Sequence, residues 1–535
     1  MSTTYRTHFS TRSTPQSESI PNRPEMVKNS ADGYGFAVDD WKRLERFLIL
    51  GSEGGTYYAN ERKLTIANAE AVQRCIAADG VAVVKMIVEI SEGGRAAKND
   101  PALFALAMCA GMGDLKTRQA ALSALPRVAR IGTHLFHFLE FVEGFRGWGR
   151  GLKRTVANWY NGRPLDRLAY QVVKYQQRDG WSHRDALRLA HPNPGHDEER
   201  KLLYSWIVNN DVTISRDTKK LGFVYAFDDL KEVSDRKTII DYIDRYRLTR
   251  EMIPTEFLND RLVWGALLQD MPLGALVRNL GKMTQVKLIK PMGQATQLVA
   301  SKLTDQDYIK RSRLHPIVIL VALSTYVQGH GVRGKLSWSP VREIIEALNE
   351  AFYLSFANVE PTGKRLLIGV DVSGSMMWQD IAGTHIKSGE AAAALSLVVA
   401  KTEKYHHIVG YDTRAYPKAL GPSARLDHVI ESFGYGSGGT DCAVPILYAL
   451  QEEISVDTFV TITDNETWAG EIHPVQALRL YRERMNIPAK LVTVGMTSSG
   501  FTIADPSDGG MLDVVGFDTG TPRVISDFAR EGPRT

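Results

Sequence analysis

Five oxygen-bearing residues on three separate stretches have the types and the order of a divalent-cation site. Asp371-Val-Ser373-Gly-Ser375 follows directly on an apolar run, Leu366–Val370. Gly436-Ser-Gly-Gly-Thr440-Asp441 precedes a helix-like stretch, and Thr463-Asp464-Asn465-Glu466 closes another apolar run. A hard cation such as Mg²⁺ takes oxygen ligands and sheds its waters reluctantly. Ser373, Ser375 and Thr440 can offer neutral hydroxyls, while Asp371 and Asp464 offer charge directly or through water. An open coordination position would accept a carboxylate or phosphate from a partner. One such piece alone reads as a turn capping a helix; three in this order, each at a strand end, do not. The expected cofactor is a divalent cation, Mg²⁺ first. Asp441 and Glu466 lie close in sequence, yet nothing there reads as a general base aimed at a bound water, so binding without catalysis is expected.

A second group of residues is cationic. Between Tyr170 and Pro192, Lys174 and Arg178 stand four apart, which predicts one face of a helix stopping at Gly180. Ser182 is a suitable N-cap for the next helix. On that helix Arg184, Arg188 and His191 fall at i, i+4 and i+7, a basic stripe beside a turn carrying Trp181. Lys and Arg would neutralise phosphates, and His191 could donate or stack. A solvated helix face is the plainer reading; Asp179 and Asp185 lie next to the stripe without interrupting it.

Two decoys carry no chemistry. Gly329-His-Gly331-Val-Arg-Gly334-Lys335 satisfies GxGxxG, but Leu336 stands where a phosphate-binding loop needs Ser or Thr, and a helix-like run precedes it. Cys442 has no His partner suggested by spacing.

Those residues need scaffolds to position them, and the pattern changes once along the chain. From about residue 38 to 355, apolar residues recur at helix spacing, as in Trp41, Leu44, Phe47 and Leu48. Breakers such as Asn161-Gly-Arg-Pro164 separate the runs. Short helices in series predict a stacked-helix solenoid, although no strict repeat stands out. After Pro361, apolar strands (Leu366–Val370, His407–Tyr411, Thr458–Thr463, Leu491–Val494, Leu512–Phe517) alternate with helices (Ser388–Tyr405, Ala443–Glu453, Pro474–Met485). That alternation predicts a doubly wound parallel sheet with its ligands at the carboxyl ends of the strands. Three domains are expected: a disordered tail at 1–25, a helical region at 26–360 and the α/β domain at 361–535.

Charge divides along the same line. Residues 361–535 hold 15 Lys and Arg against 21 Asp and Glu, a net −6 within a total of +4, which leaves +10 for residues 1–360. The anionic partner is therefore expected at the front. Three cysteines without CxxC spacing point to a reducing compartment. Residues 1–25 have no apolar signal region, and the run Pro316–Val327 is too short to cross a bilayer. A soluble, cytoplasmic protein with no membrane partner is expected.

The spaced Asp-x-Ser-x-Ser, Thr and Asp resemble the metal-ion-dependent adhesion site of von Willebrand factor A-type domains. Asp39–Tyr58, His137–Phe141, Lys174–His191, Met271–Met283, Arg313–Pro316 and Glu360–Arg365 together resemble the TROVE-domain family, the Ro ribonucleoproteins, over nearly the whole chain. The resemblance implies HEAT-like helical repeats closed into a ring by the A-type domain. It implies small noncoding Y RNA on the outer surface, with Lys174, Arg178 and His191 at positions the family uses for it. It also implies misfolded or 3′-ended noncoding RNA in a central hole. Bacterial relatives look like adaptors bringing RNA to an exoribonuclease in RNA quality control. A monomer without enzymatic activity is expected; a metal-dependent protein-interaction module without RNA specificity is the competing reading, and a Mg²⁺-dependent phosphate enzyme the third.

Overall fold

The computed structural model describes residues 13–52, 61–96 (61–64 as backbone alone), 98–209, 214, 220–331, 335–356, 360–378, 380–381, 386–421, 423–434, 438–517 and 520–530. Residues 1–12 of the expected tail, the Gly436 end of the Thr440 loop, residues 53–58 of the Asp39–Tyr58 string and residues 332–334 of the glycine-rich decoy lie outside the described residues.

The helical region runs from Asp40–Leu50 to Arg342–Leu354. Several of its helices start where short acidic side chains cap free backbone N–H groups: Asp39 accepts from Lys42, Asp114 from Thr117, Asp235 from Thr238 and Asp305 from Tyr308. The long segment Glu61–Gly93 is two helices in one, broken at Asp79 (φ −156°), whose carboxylate accepts from Ala82 N at 2.9 Å and so begins the second. Helices pack on their next-but-one neighbours: Glu61–Gly93 on Leu115–Val128, Asp100–Met112 on Gly132–Glu143, Leu115–Val128 on Arg150–Asn161. That is the two-row packing of a solenoid.

Eleven strands are described. Met26–Lys28 (β1) and Tyr34–Ala37 (β2) precede the helices, and Gln177–Arg178 (β3) with Trp181–Ser182 (β4) form a small hairpin among them. The remainder lie in the C-terminal domain: Arg365–Asp371 (β5), Tyr405–Tyr411 (β6), Ala415–Lys418 (β7), Thr458–Thr463 (β8), Lys490–Gly495 (β9), Phe501–Thr502 (β10) and Met511–Val515 (β11). The main sheet has the order β11-β9-β8-β5-β6-β7, parallel except for the β6–β7 pair. The chain leaves β5 toward β6 and later returns to the other side at β8, so the switch point lies between β5 and β8. Alternation sorts the sheet's faces. Leu366, Ile368 and Val370 join an apolar core continuous with the helical region, while Leu367, Phe459 and Leu491 pack with Leu478, Tyr481, Met26 and Phe36 on the other side.

Three expectations need correction. Tyr405 opens β6 instead of ending a helix, because the helix stops at Thr402. The edge strand β7, with Pro417 in it, had no alternating pattern to announce it. Residues 13–25, expected in the disordered tail, are folded against the A-type domain, with Thr14 and Gln16 buried.

The A-type domain meets both ends of the helical series. At the C-terminal end, Phe517 packs on Phe352, Phe356 and His315, and Asn349 Oδ1 accepts from Leu426 N at 2.6 Å. At the N-terminal end, Arg46, wholly buried, donates to both Asp513 oxygens (2.6 and 2.8 Å) and to the carbonyls of Ser499 and Phe501 (2.9 Å each). No described helix is long and apolar enough to cross a membrane.

Arg46→Ala deletes the buried member of this ion pair and its bonds to two carbonyls, leaving the half-buried Asp513 with Thr502, so a loss of about 3 kcal/mol is expected in urea denaturation of the full chain. Asp513→Asn keeps an acceptor oxygen and should cost less.

Acid should weaken the helical region. Burial pushes His183 down to about 3 and His134 and His315 down to about 4. Unfolded, each takes a proton near 6.5, so between that value and about 3–4 the unfolded chain binds more protons. Stability present above pH 6.5 is therefore lost as pH falls through this window. Denaturation midpoints at pH 7, 6 and 5 should fall in that order, and His183→Gln should flatten the decline.

Candidate metal centre and basic surfaces

Asp371 ends β5 and Asp464 follows β8, which puts the two carboxylates at the switch point on adjacent parallel strands. Asp371, Ser373, Ser375, Thr440 and Asp464 are all buried. One Asp371 oxygen accepts from Ser373 N at 2.9 Å and the other from Thr463 Oγ1 at 2.6 Å. The Ser373 and Ser375 hydroxyls lie 3.1 Å apart, and Ser375 also bonds the Asp464 side chain. Asp464 Oδ1 accepts from Glu466 N at 3.0 Å, a turn made possible by Asn465 in the left-handed region (φ 69°). Thr440 is anchored by its carbonyl, which accepts from Trp468 N and Ala469 N.

The electrostatics of this cluster fit a cation. Burial, then the Asp464 charge, raises Asp371 to about 7; burial also raises Asp464, and burial with the Asp464 charge raises Glu466 to about 9. Among the described residues, no Lys or Arg is a main cause of these three shifts. Carboxylates this deep stay charged only if something positive joins them. Among the described residues no three His, Cys, Asp or Glu side chains converge as a metal cage. A cation here would rest on two carboxylates, three hydroxyls and water, which is the hard, partly hydrated set that suits Mg²⁺.

The other acids are occupied elsewhere. Asp441 Oδ1 accepts from Gln16 Nε2 (2.7 Å) and Ala443 N (2.9 Å), and Glu466 Oε2 accepts from Ser30 N (3.0 Å) and Ala31 N (3.1 Å). Cys442 is buried, its thiol pushed up by burial and bonded by the Tyr411 hydroxyl. The decoy at Gly329 is the left-handed cap (φ 74°) of helix Pro316–Gln328.

The basic stripe is built differently from its expected form. The helix Leu165–Lys174 ends at Lys174, and Arg178 lies in β3, so the two do not share a helix face. Asp179 and Gly180, both at positive φ, turn the β3–β4 hairpin, an Asp-Gly pair that suits a two-residue turn. Trp181 is buried against Trp148, not offered as a stacking platform. Ser182 does cap the next helix, His183–Ala190, in a reciprocal box with Asp185, which consumes that acid. Asp179 is likewise bound to His137 at 2.6 Å. Arg178, Arg184, Arg188 and His191 are exposed; Lys174 is half-buried and donates to Tyr170 Oη at 3.0 Å.

A further basic site escaped the sequence reading. A cavity of about 690 Å³ is lined by Lys98, Arg130, Arg278, Lys282 and Arg313, with no Asp or Glu among the described residues of its wall. Val277, Val318, Tyr326 and Trp338 supply apolar surface there. Its cations come from four distant stretches of chain, and no local spacing links them.

Asp371→Asn should remove any rise in melting temperature on adding Mn²⁺ to the wild-type chain, without lowering the melting temperature in EDTA. Asn keeps acceptor capacity and deletes a charge that burial disfavours. An equal Mn²⁺-dependent rise in the variant would refute Asp371 as a ligand.

Comparison with known proteins agrees with this architecture. Residues 27–364 match the TROVE domain family, and residues 365–529 match the Ro60 vWA domain. The chain is 42% identical over 520 residues to the RNA-binding protein RO60 of Deinococcus radiodurans, covering 96% of this chain and 97% of that one. It is 33% identical over 593 aligned positions to the RNA-binding protein RO60 of Caenorhabditis elegans, covering 95% and 91%. The crystal structure of the Deinococcus radiodurans RO (RSR) protein superposes with a TM-score of 0.71 at 42% identity, over 92% of this chain and 99% of that one. A helical region whose two ends meet one A-type domain, matched end to end by such relatives, places this chain in the TROVE-domain Ro60 family.

Proposed function

We propose that this chain is a non-catalytic RNA-binding scaffold. The observation that carries the reading is the cavity lined by five cations and no carboxylate. Phosphates neutralise such a wall, and the Tyr326 and Trp338 rings offer apolar surface to unstacked bases. A single strand can enter a narrow basic site, whereas an A-form duplex about 20 Å across cannot splay its bases onto side chains. On the family resemblance, the occupant in this reading is a single-stranded 3′ end of a misfolded noncoding RNA. Structured RNA of the Y type lies on the surface carrying Lys174, Arg178, Arg184, Arg188 and His191. The relatives named as RNA-binding proteins support the RNA-binding part of this reading. In this reading the scaffold acts in RNA quality control as an adaptor, presenting bound RNA to an exoribonuclease in the cytoplasm. Mg²⁺ at Asp371, Ser373, Ser375, Thr440 and Asp464 serves binding, since Asp441 and Glu466 already accept hydrogen bonds from the protein.

Two RNAs sharing one helix, one blunt and one with a 3′ tail, test this by filter binding. The tailed RNA should bind more tightly, and both should remain intact after incubation with Mg²⁺. Arg278→Ala with Lys282→Ala should reduce the tail's advantage at least tenfold and flatten its salt slope by about 0.7 for each phosphate contact removed. Lys174→Ala with Arg178→Ala should weaken binding of the structured part and spare the tail. Equal affinities for the two RNAs, unchanged by either pair, would favour the protein-interaction reading.

A further inference from the structure

The segment before the first helix lies on the same edge of the A-type domain as the candidate cation ligands. Gln16 is fully buried, 425 or more residues from everything it binds in that domain. Its Nε2 donates to Asp441 Oδ1 and to Ile472 O, each at 2.7 Å, and its Oε1 accepts from Thr467 Oγ1. Its own N–H donates to Gly470 O at 2.8 Å. Asp441 adjoins Thr440, and Thr467 lies three residues beyond Asp464. One side chain thus ties together the two loops that bring Thr440 and Asp464 to the site. Further along, Ser30 N and Ala31 N hold Glu466, and Asn29 Nδ2 donates to Thr467 O at 2.7 Å. The fit is close from both sides: a Cβ on Gly470 would stand 2.4 Å from Gln16 Nε2, and one on Gly33 would stand 2.0 Å from Thr467 O. Thr14 and Gln476 exchange two hydrogen bonds, and Arg23 pairs with the buried Asp505, so the strap is anchored beyond the loops themselves.

We infer that this N-terminal strap, with Gln16 as the positioning residue, is a working part of the cation site, so that cation binding and strap docking reinforce each other. The inference rests on the cation assignment above. Ligands held by an outer layer of hydrogen bonds bind metal more tightly, typically by 10–100-fold. A strap ordered by the loops must in turn be held more firmly when the cation fixes them, because such coupling is reciprocal. A divalent cation would then also help to secure the N-terminal end of the helical series, since β2 pairs with β10 directly before helix Asp40–Leu50.

Calorimetric titration of the full chain with Mn²⁺ tests this, alongside hydrogen exchange with and without Mn²⁺. Gln16→Ala should weaken Mn²⁺ at least tenfold, and Gly470→Ala, whose Cβ would force apart the Gln16–Asp441 pair, should do the same. In the wild type, Mn²⁺ should slow exchange at the amides of Gln16, Ser30, Ala31 and Tyr34; this holds the test open if either variant fails to fold. Wild-type binding with unchanged affinity in both variants, or strap amides indifferent to Mn²⁺, would overturn the inference alone. A wild-type chain that binds no Mn²⁺ would overturn the cation assignment itself.

Discussion

A series of packed helices has two apolar ends, and each must be covered, because every helix pair depends on a neighbour to bury its outer face. In this chain the same α/β domain receives both. The C-terminal end arrives as a ring cluster, Phe352, Phe356 and His315 around Phe517. The N-terminal end arrives as Arg46, whose guanidinium reaches Asp513 and two carbonyls with no exposure to solvent. A buried charge tolerates little misalignment, since a lost partner costs several kcal/mol. The joint therefore sets where the helical series ends, and with it the spacing between elements far apart in sequence that line the basic cavity.

The molecule holds two opposite electrostatic environments. In the helical region Lys98, Arg130, Arg278, Lys282 and Arg313 surround a cavity whose wall has no carboxylate. In the A-type domain Asp371, Asp464 and Glu466 share a buried site without a basic partner among the groups that set their charge. At the buried carboxylates, that lack of compensation is costly. The first calls for a polyanion and the second for a small cation. In the proposed reading these are the two complementary halves of an RNA-binding scaffold, one suited to phosphates and the other to a cation.

The strap before the first helix joins these two parts of the molecule physically. Its hydrogen bonds end on the loops after Thr440 and Asp464, while its strand β2 leads directly into the first helix of the series. Cation site, strap and Arg46 joint consequently lie in one continuous stretch of contacts, with Ser499 bonded to Arg46 and Thr497 bonded to Asp464 O two residues earlier.

Sequence alone was enough to identify what depends on local spacing. The helical periodicity, the change to buried strands after Pro361, the Ser182 cap and the order of oxygen-bearing residues from Asp371 to Asp464 are properties of short windows, and helices, strands and the cap form near where those windows predict them. The family is legible too, because its strings cover nearly the whole chain. Tertiary structure decided what depends on closure. Lys174 and Arg178 have helical spacing, yet the Asp179-Gly180 turn needs a hairpin, and pairing with Trp181–Ser182 outweighs one more helical turn. Residues 13–25 have the composition of a mobile tail, and only the receiving groups at Asp441, Thr467, Gln476 and Asp505 make their order worth the entropy. The cavity's five cations are scattered over more than 200 residues and converge only in the tertiary structure. Local spacing fixes a residue's role within its element; which elements face one another depends on long-range burial, and no short window of sequence contains that.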